Sequence, residues 1–244
     1  MCFLALHYKT VPEYPIVLAA NRDEFYDRPG LPPADRGGGI IAGQDPRAGG
    51  TWLGVRRDGL IAAVTNLPAQ TAHPHAHSRG LLCMKLLRSA GPADARNELQ
   101  SAVDAHEMNP FNMLCVSPSA GWLASFHADR LTVRPLQPGL HVVGNALPDD
   151  PSDAKVRHGR ELIGRPGPLD QTLASLAAVC ADHGTPEGDR DAICVHSADF
   201  GTLSSTLLAL HVDTPARHHL LFCDGPPCRH CYTDISHLLA NAGG

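Results

Sequence analysis

The pattern of apolar and polar positions predicts that the chain opens with a β-hairpin. Two apolar runs, residues 3–8 and 15–20, flank a short connector that contains a proline. Such a pair of runs is typical of two antiparallel strands joined by a turn. The second run stops at a polar block, Asn21-Arg22-Asp23-Glu24. The hairpin therefore brings the start of the chain beside a group of charged and amide side chains.

The register of this hairpin decides which polar side chains share a face with Cys2. If Phe3 pairs with Ala20, continuing the register sets Cys2 opposite Asn21. Directly opposed residues share a face and side chains alternate along a strand, so Asp23 would then lie on the Cys2 side. A slip of one residue would reverse that assignment.

The rest of the chain alternates between groups of strands and pairs of helices. Helical spacing of apolar residues and N-terminal capping signals predict helices at 78–90, 92–105, 154–163 and 169–180. Short apolar runs predict strands at 51–55, 60–66, 111–116, 121–126, 141–143, 192–195, 205–212 and 219–222. Residues 27–50, rich in glycine and proline, predict a long surface loop, and Asp58-Gly59 predicts a type I′ turn. This order fits two sheets sandwiched between helical layers.

The composition of the chain limits its domain organisation and the classes of molecule that it could bind. The chain has 244 residues, 43% of them apolar, and no low-complexity linker, which predicts a single domain over 1–244 with a Cys/His-containing tail at 223–244. A net charge of -5 without a basic run argues against nucleic acid and favours a small-molecule ligand or substrate. Without a signal peptide or an apolar run long enough to span a bilayer, we expect a cytoplasmic protein whose eight cysteines are mostly reduced. The oligomeric state is left open.

Cys2 carries the strongest chemical signal. Removal of Met1 would leave it with both a thiol and a free α-amine, whose unperturbed pKa of about 7.7 to 8.0 lies below the thiol's value of about 8.5. The amine can then act as a local base, so that one residue supplies nucleophile and base. The alternative is that Cys2 is a small apolar residue at the start of a strand.

Several motifs in the right order identify the chain as resembling the NRDE family, also called the transport-and-Golgi-organisation-2 family. The match runs from residue 2 to about 212, and the motifs are M-C-F-L at the start, A-N-R-D-E-F-Y-D-R-P at 20–29, G-G-T-W-L-G-V at 49–55, S-R-G at 78–80 and F-G-T-L-S-S-T at 200–206. The resemblance implies an α+β fold, the four-layer αββα sandwich of the N-terminal-nucleophile (Ntn) hydrolases, similar to choloylglycine hydrolases. Animal members are linked to haem trafficking and lipid homeostasis.

The same resemblance implies which residues surround Cys2. Asn66 and Asn145 follow strands, as the pocket asparagines of those hydrolases do, and amide donors stabilise an oxyanion; turn asparagine is the alternative. The hydrolases place an Arg and then an Asp three residues later. Here Asn21 and Glu24 occupy that spacing, with Arg22 and Asp23 between them.

Arg22 and Asp23 join Cys2, Asn66 and Asn145 as catalytic candidates, unless they form a structural ion pair. Asn21, Glu24 and Trp52 are candidate substrate-binding residues. The resemblance implies an Arg where this chain has Leu203, and its loss weakens the case for an anionic or carbonyl-bearing ligand.

Two histidine- or cysteine-rich segments raise the question of a bound metal or haem. His73, His75 and His77 alternate along the chain and could ligate a metal or haem, although a solvated loop is the default. Cys223, Cys228 and Cys231 have a C-x4-C-x2-C spacing that could join His230 or His237 in a zinc site, or remain free thiols in a turn. Hydrolysis by Cys2 itself requires no cofactor.

Two functions therefore stay open. The first is an Ntn-type cysteine hydrolase acting on a linear amide or thioester. The second is a non-catalytic trafficking protein that binds haem or an acyl lipid in the same pocket.

Overall fold

A computed structural model describes residues 3–69, 73–185 and 191–240 of the chain. Contacts between residues divide it into two compact units, of which the first comprises the described residues of Met1–Pro29 and Gln137–Ala240 and the second those of Gly30–Leu136. Each unit is built around one antiparallel sheet. The single-domain organisation stays a prediction. No helix among the described residues is long and apolar enough to cross a membrane.

The described residues form thirteen strands and four α-helices. In chain order they are β1 (Phe3–Val11), β2 (Tyr14–Phe25), β3 (Leu31–Asp35), β4 (Ile40–Gln44), β5 (Leu53–Arg56), β6 (Ile61–Asn66), α1 (Arg79–Leu86), α2 (Pro92–Ala105), β7 (Phe111–Val116), β8 (Gly121–His127), β9 (Arg130–Pro135), β10 (Gly139–Val143), α3 (Ala154–Ile163), α4 (Leu169–Cys180), β11 (Phe200–Leu210), β12 (His219–Asp224) and β13 (Thr233–Asp234).

The first unit contains a six-stranded sheet in the order β10-β1-β2-β11-β12-β13. Alternate apolar residues of its central strands form a core with apolar residues of α3 and α4. Gly159 of α3 lies against the Phe3 ring so closely that a Cβ there would be 2.9 Å from a ring carbon. The helices therefore cover the face that carries Phe3.

The register of the opening hairpin differs from the predicted one by a single residue. Phe3 pairs with Asn21, Leu4 with Ala20 and Tyr8 with Ile16. The predicted pairing of Phe3 with Ala20 is therefore wrong, and so is the register from which Asp23 was expected to share a face with Cys2: Asp23 alternates with Asn21 onto the Phe3 face. Both strands are apolar on both faces, so the pattern contained no alternation that could fix the register.

The second unit contains a seven-stranded meander in which β3 to β9 pair in chain order. Helices α1 and α2 cover one face, where alternate residues of β6, β7 and β8 form an apolar core with them. Ser78 caps α1 by accepting a hydrogen bond from the Leu81 N–H at 3.3 Å, as its position in the sequence predicts. Pro92 begins α2, also as predicted.

The prediction of a loop over residues 27–50 is wrong, because β3 and β4 lie within it. Three successive glycines with positive φ, Gly37 to Gly39, turn the chain between these strands. Ile40 and Ile41 then enter the core at 2% and 1% exposure. Glycine and proline marked the turn, but the short apolar run that follows it is a buried strand.

Two smaller predictions also differ from the structure. Gly59 has a positive φ of 92° while Asp58 does not, and Gly59 N–H donates to the Arg56 carbonyl at 2.8 Å, so the turn is type I followed by a glycine bulge rather than type I′. No strand forms at 192–195, and the next residue, His196, makes only an isolated bridge with Gly201.

Candidate functional site

The predicted site residues of the first unit lie at one end of its sheet. Val143, the last residue of β10, pairs with Leu4, and Asn145 follows two residues later. On the other side of β1, Asn21 pairs with Phe3, and Arg22 and Asp23 continue β2 beyond that point. Adjacent strands are about 4.8 Å apart. Arg22 and Asp23 therefore lie beside the start of β1, and Asn145 follows the strand that pairs with β1 on its other side. Cys2 itself lies outside the described residues.

Alternation along β2 separates the polar block onto two faces. Asn21 shares the face of Phe3, which α3 and α4 cover, and Asp23 follows it two residues later. Arg22 lies between them and leaves the strand on the opposite face. All three side chains are buried.

The Asn21 side chain links distant parts of the backbone by two hydrogen bonds. Its Nδ2 donates to the Cys180 carbonyl at 2.8 Å and to the Ile193 carbonyl at 3.0 Å. Both amide hydrogens are thus used: one acceptor belongs to Cys180, the last residue of α4, and the other to Ile193 in the connection between α4 and β11. Asn21 therefore ties the end of α4 and this connection to β2, and a role in substrate binding stays a prediction.

Asp23 lies in a polar pocket under α3. Its Oδ1 accepts a hydrogen bond from the Thr202 hydroxyl at 2.7 Å, and its Oδ2 lies 4.0 Å from Lys155 Nζ. Asp23 is 2% exposed and Lys155 9% exposed. The ammonium group compensates a carboxylate that would otherwise be costly to bury.

Arg22 has a different charged neighbour. Its Nη2 donates to the Arg28 carbonyl at 3.0 Å and lies 4.0 Å from a carboxylate oxygen of Glu24. Arg28 in turn lies 3.8 Å from the same Glu24 oxygen. Glu24 therefore bridges two cations beside the end of β2.

Leu203 occupies a break in the sheet. The pairing of β11 with β2 shifts between Thr202 and Ser204, which leaves Leu203 as the extra residue of a β-bulge. Bulges are common beside active sites because they redirect side chains. Leu203 thus lies at a local irregularity of the strand, opposite the block formed by Arg22 and Asp23.

Asn66 and Trp52 belong to the second unit. Asn66 ends β6 opposite Phe111, so it shares the sheet face that α1 and α2 cover. Trp52 packs on the edge of the same core, and its indole lies so close to Gly43 that a Cβ there would be 2.6 Å away. A role of Asn66 in catalysis or of Trp52 in substrate binding stays a prediction.

Burial removes several thiols from the candidates for a nucleophile. It raises the pKa of the Cys115, Cys180 and Cys194 thiols to about 12 and that of Cys223 to about 11, and it raises the pKa of Cys83 further still. Thiolate is the reactive form, so these residues are poor nucleophiles at neutral pH.

The histidine-rich segment has ordinary polar partners. His73 Nδ1 lies 2.8 Å from a Glu107 carboxylate oxygen. The His77 ring stacks on His106 with centroids 4.5 Å apart, while His75 is exposed. Within the described ranges, these three histidines do not form a group that could share one ion.

The three cysteines of the tail lie in different surroundings. Cys223 is buried, with its sulfur 3.4 Å from the carbonyl oxygens of Gly225 and His230, and Cys231 is exposed. Cys228 instead approaches residues that precede β11. The one group of three or more His, Cys, Asp or Glu side chains that could hold an ion in the described part of the chain is His183, Cys194, His196 and Cys228. We call it the thiol–imidazole cluster.

Sequence reasoning missed Lys155, Thr202 and three of the four residues of this cluster. Thr202 lies in the F-G-T-L-S-S-T motif, so its place in that motif was an available signal. Lys155 is one of the few lysines of the chain and falls on the predicted helix 154–163. Its charge on the buried side of that helix could have been noticed.

One cleft of about 850 Å³ in the first unit lies away from these residues. Thr10, Tyr14, Leu169 and Arg217 are among the residues that line it. It therefore borders the turn between β1 and β2, at the opposite end of β1 from Phe3. Its position separates it from Asn145, Arg22 and Asp23.

Comparisons with known proteins agree with the motifs. A family model described as Transport and Golgi organisation 2 matches residues 1–217. The Transport and Golgi organization protein 2 homolog of Bos taurus is 31% identical over 251 residues, which cover 87% of this chain and 90% of that protein.

Solved structures show the fold. The Caenorhabditis elegans N-acylethanolamine-hydrolyzing acid amidase ortholog superposes with a TM-score of 0.55 at 12% identity, covering 85% of this chain and 92% of that one. A mutant of the conjugated bile acid hydrolase from Clostridium perfringens gives a TM-score of 0.50 at 11% identity, covering 99% and 95%. The predicted α+β fold of the Ntn hydrolase type is confirmed by these likenesses. The family model and the bovine relative show that the chain belongs to the transport and Golgi organisation 2 family.

Proposed function

We propose that this chain is a cysteine hydrolase of the Ntn class that cleaves a linear amide or thioester, with Cys2 as the nucleophile. The observation that carries the proposal is the conjunction of an Ntn-type fold with a cysteine directly before β1, at the sheet end flanked by Asn145, Arg22 and Asp23. The nematode relative of this fold is named for hydrolysis of N-acylethanolamines, which are linear amides. That name suggests the bond type to test here.

In the proposed reaction the α-amine of Cys2, exposed by removal of Met1, accepts the thiol proton. The thiolate then attacks the substrate carbonyl, and the oxyanion receives a hydrogen bond from the side-chain amide of Asn145. The protonated amine transfers its proton to the leaving group as the carbon–nitrogen or carbon–sulfur bond breaks. Water hydrolyses the acyl-enzyme and restores the free thiol.

The charged residues have separate roles in this proposal. Arg22, a buried cation at the end of β2, favours the thiolate form of a nearby sulfur. Asp23 stabilises the protonated α-amine, with its carboxylate oriented by Thr202. Asn21 acts as a positioning residue, because its two amide hydrogens hold the chain between α4 and β11.

Hydrolysis of a fluorogenic long-chain N-acyl-aminocoumarin tests the proposal. We expect the full-length protein to turn this amide over and Cys2→Ala to lose at least about 1,000-fold in rate, since the nucleophile is removed. Cys231→Ala is the matched control, because it removes an exposed thiol elsewhere, and it should keep the wild-type rate. Equal residual rates in the wild type and Cys2→Ala would contradict the proposal.

A carrier that binds haem or an acyl lipid would behave differently in the same experiment. It would bind a fluorescent fatty acid or haem saturably and equally in the wild type and in Cys2→Ala, and it would release no aminocoumarin from the amide. That combination of results would replace the hydrolase with the carrier function.

A further inference from the structure

We propose that the thiol–imidazole cluster, His183, Cys194, His196 and Cys228, is a tetrahedral zinc site. Its four residues come from three separate stretches of chain, and their ligand atoms all lie within 4.8 Å of one another. The two sulfurs are 3.6 Å apart, and His196 Nε2 lies 3.7 Å from Cys194 Sγ and 3.2 Å from Cys228 Sγ. Four ligand atoms thus surround one small volume.

These separations are those of a tetrahedral metal site. Zinc binds sulfur at about 2.3 Å and imidazole nitrogen at about 2.0 to 2.1 Å, which puts two sulfurs about 3.8 Å apart and sulfur about 3.6 Å from nitrogen. The three separations among Cys194, His196 and Cys228 agree with these values to within about 0.4 Å, and the ligand atom of His183 lies within 4.8 Å of the other three. A disulfide would instead need the sulfurs at about 2.05 Å. Binding an ion therefore requires less movement than oxidation of the thiols.

Backbone hydrogen bonds fix the ligand segments. The Val195 N–H donates to the Thr202 hydroxyl at 2.9 Å, and the Thr202 N–H donates to the Val195 carbonyl at 2.9 Å. This pairing fixes Val195 between the two ligands, and the 3.7 Å separation of Cys194 Sγ and His196 Nε2 shows that the two side chains project to the same side.

The other two ligands are held by separate contacts. The Cys194 N–H donates to the Asp182 carbonyl at 2.7 Å, which places His183 beside it. Cys228 lies in a turn after β12 that is closed by hydrogen bonds from Arg229 and His230 N–H to the Pro226 carbonyl. The cluster is therefore arranged by its surroundings rather than by a metal alone.

The donor set selects the metal class. Two thiolates and two imidazoles are the ligands of closed, four-coordinate zinc sites, whereas magnesium and calcium prefer oxygen. Two thiolate charges balance the charge of a divalent ion, which makes burial of Cys194 at 1% exposure acceptable. His183 and His196 are exposed and leave a route of entry for the ion.

Such an ion would be structural. It would join the connection between α4 and β11 to the turn after β12. That connection also carries Ile193, whose carbonyl Asn21 holds, and Val195, which binds the threonine that donates to Asp23. The ion would thus stiffen the chain behind the polar block of β2 without taking part in chemistry there.

Metal analysis of the untagged full-length chain tests the proposal. After addition of zinc sulfate and gel filtration, we expect about one zinc per chain in the wild type and less than about 0.1 in Cys194→Ser and Cys228→Ser. The exposed ligands allow variants that should fold even if the buried cysteine does not tolerate change. His183→Ala and His196→Ala should keep the wild-type circular dichroism and bind zinc about 100-fold more weakly.

Cys231→Ser is the matched control, because Cys231 lies three residues after Cys228 but outside the cluster. It should bind zinc as the wild type does. Cobalt replacement should give the visible absorption of a tetrahedral ion with thiolate charge transfer, lost in Cys228→Ser. The proposal is overturned by a wild type that binds no zinc, by zinc lost in Cys231→Ser but kept in Cys194→Ser, or by a disulfide between Cys194 and Cys228 in freshly purified protein.

Discussion

At the scale of single residues, the polar block of β2 combines structural and chemical roles. Asn21, Arg22 and Asp23 are all buried, at 0%, 4% and 2% exposure. Buried polar groups are costly unless they are hydrogen-bonded or paired, and each of these three has such a partner. The asparagine of the N-R-D-E block therefore has a structural reason to be there that does not depend on any reaction.

Replacing Asn21 with alanine should destabilise the protein by about 3 kcal/mol, because it leaves two buried carbonyls, of Cys180 and Ile193, without their donor. Urea unfolding measures the change. Asn97→Ala, on the exposed side of α2, is the control and should change stability by less than about 0.5 kcal/mol. An equal effect of the two substitutions would show that the two hydrogen bonds of Asn21 contribute nothing to the free energy of unfolding.

His7 should make stability depend on pH near neutrality. It is 1% exposed in β1, and burial lowers its pKa below the unfolded value of about 6.5. The folded state then binds fewer protons than the unfolded state. Stability is therefore full above about pH 6.5 and is lost as the pH falls through the lowered pKa of the folded state.

His7→Phe should flatten the fall in unfolding free energy between about pH 7 and 5, since no proton can bind there. Urea unfolding at several pH values measures that slope. His75→Phe, a change at an exposed position, should keep the wild-type slope. If His7→Phe also keeps the wild-type slope, burial of His7 does not cause the pH dependence of stability.

At the scale of elements, two of the family motifs meet through their glycines. The Thr51 N–H donates to the Gly80 carbonyl at 3.0 Å, and a Cβ on Gly50 would lie 2.2 Å from the carbonyl carbon of Gly80. The G-G-T-W and S-R-G motifs therefore form one contact between the start of α1 and the chain that enters β5. Side chains would keep the two backbones apart.

Gly50→Ala should destabilise the protein by about 3 kcal/mol or more, because its neighbour is rigid backbone rather than a movable side chain. Thermal unfolding measures the loss. Gly91→Ala adds the same methyl group where nothing lies within 4 Å, and it should cost less than about 1 kcal/mol. Similar losses of stability in the two variants would contradict a close backbone contact between Gly50 and Gly80.

Elements defined by local signals could be predicted from the sequence. Ser78 caps α1 and Pro92 begins α2, each as the local pattern indicates. The hairpin register could not be predicted, because Phe3 and Ala20 are apolar on strands buried on both faces. β4 was missed because its short apolar run follows a glycine turn.

The site was predicted less completely than the fold. Arg22 and Asp23 lie in a family motif, and the structure puts them near the end of β2, beside the start of β1; their roles, like that of Asn145, stay predictions. The thiol–imidazole cluster could not be predicted, since Cys228 meets Cys194 only through the pairing of β11 with β12 and the contact of Cys194 with the Asp182 carbonyl. Spacing along the chain favoured Cys223 and Cys231 as its partners instead.

At the scale of the whole molecule, family membership and fold are shown, and the reaction is the proposal that joins them. The Ntn-type fold places a terminal residue at the start of a central strand, next to which the described residues supply an amide, a buried cation and a buried carboxylate. Most other thiols of the described chain are buried with raised pKa values. The hydrolase proposal assigns the chemistry at sulfur to Cys2.

Intact-protein mass spectrometry of the full-length chain, mixed with a long-chain fatty-acyl phenyl thioester, tests this expectation most directly. The hydrolase proposal predicts a mass that lacks Met1 and a transient acyl adduct that peptide mapping assigns to Cys2, with no adduct in Cys2→Ala. Retention of Met1, or acylation confined to the exposed Cys231, would contradict it.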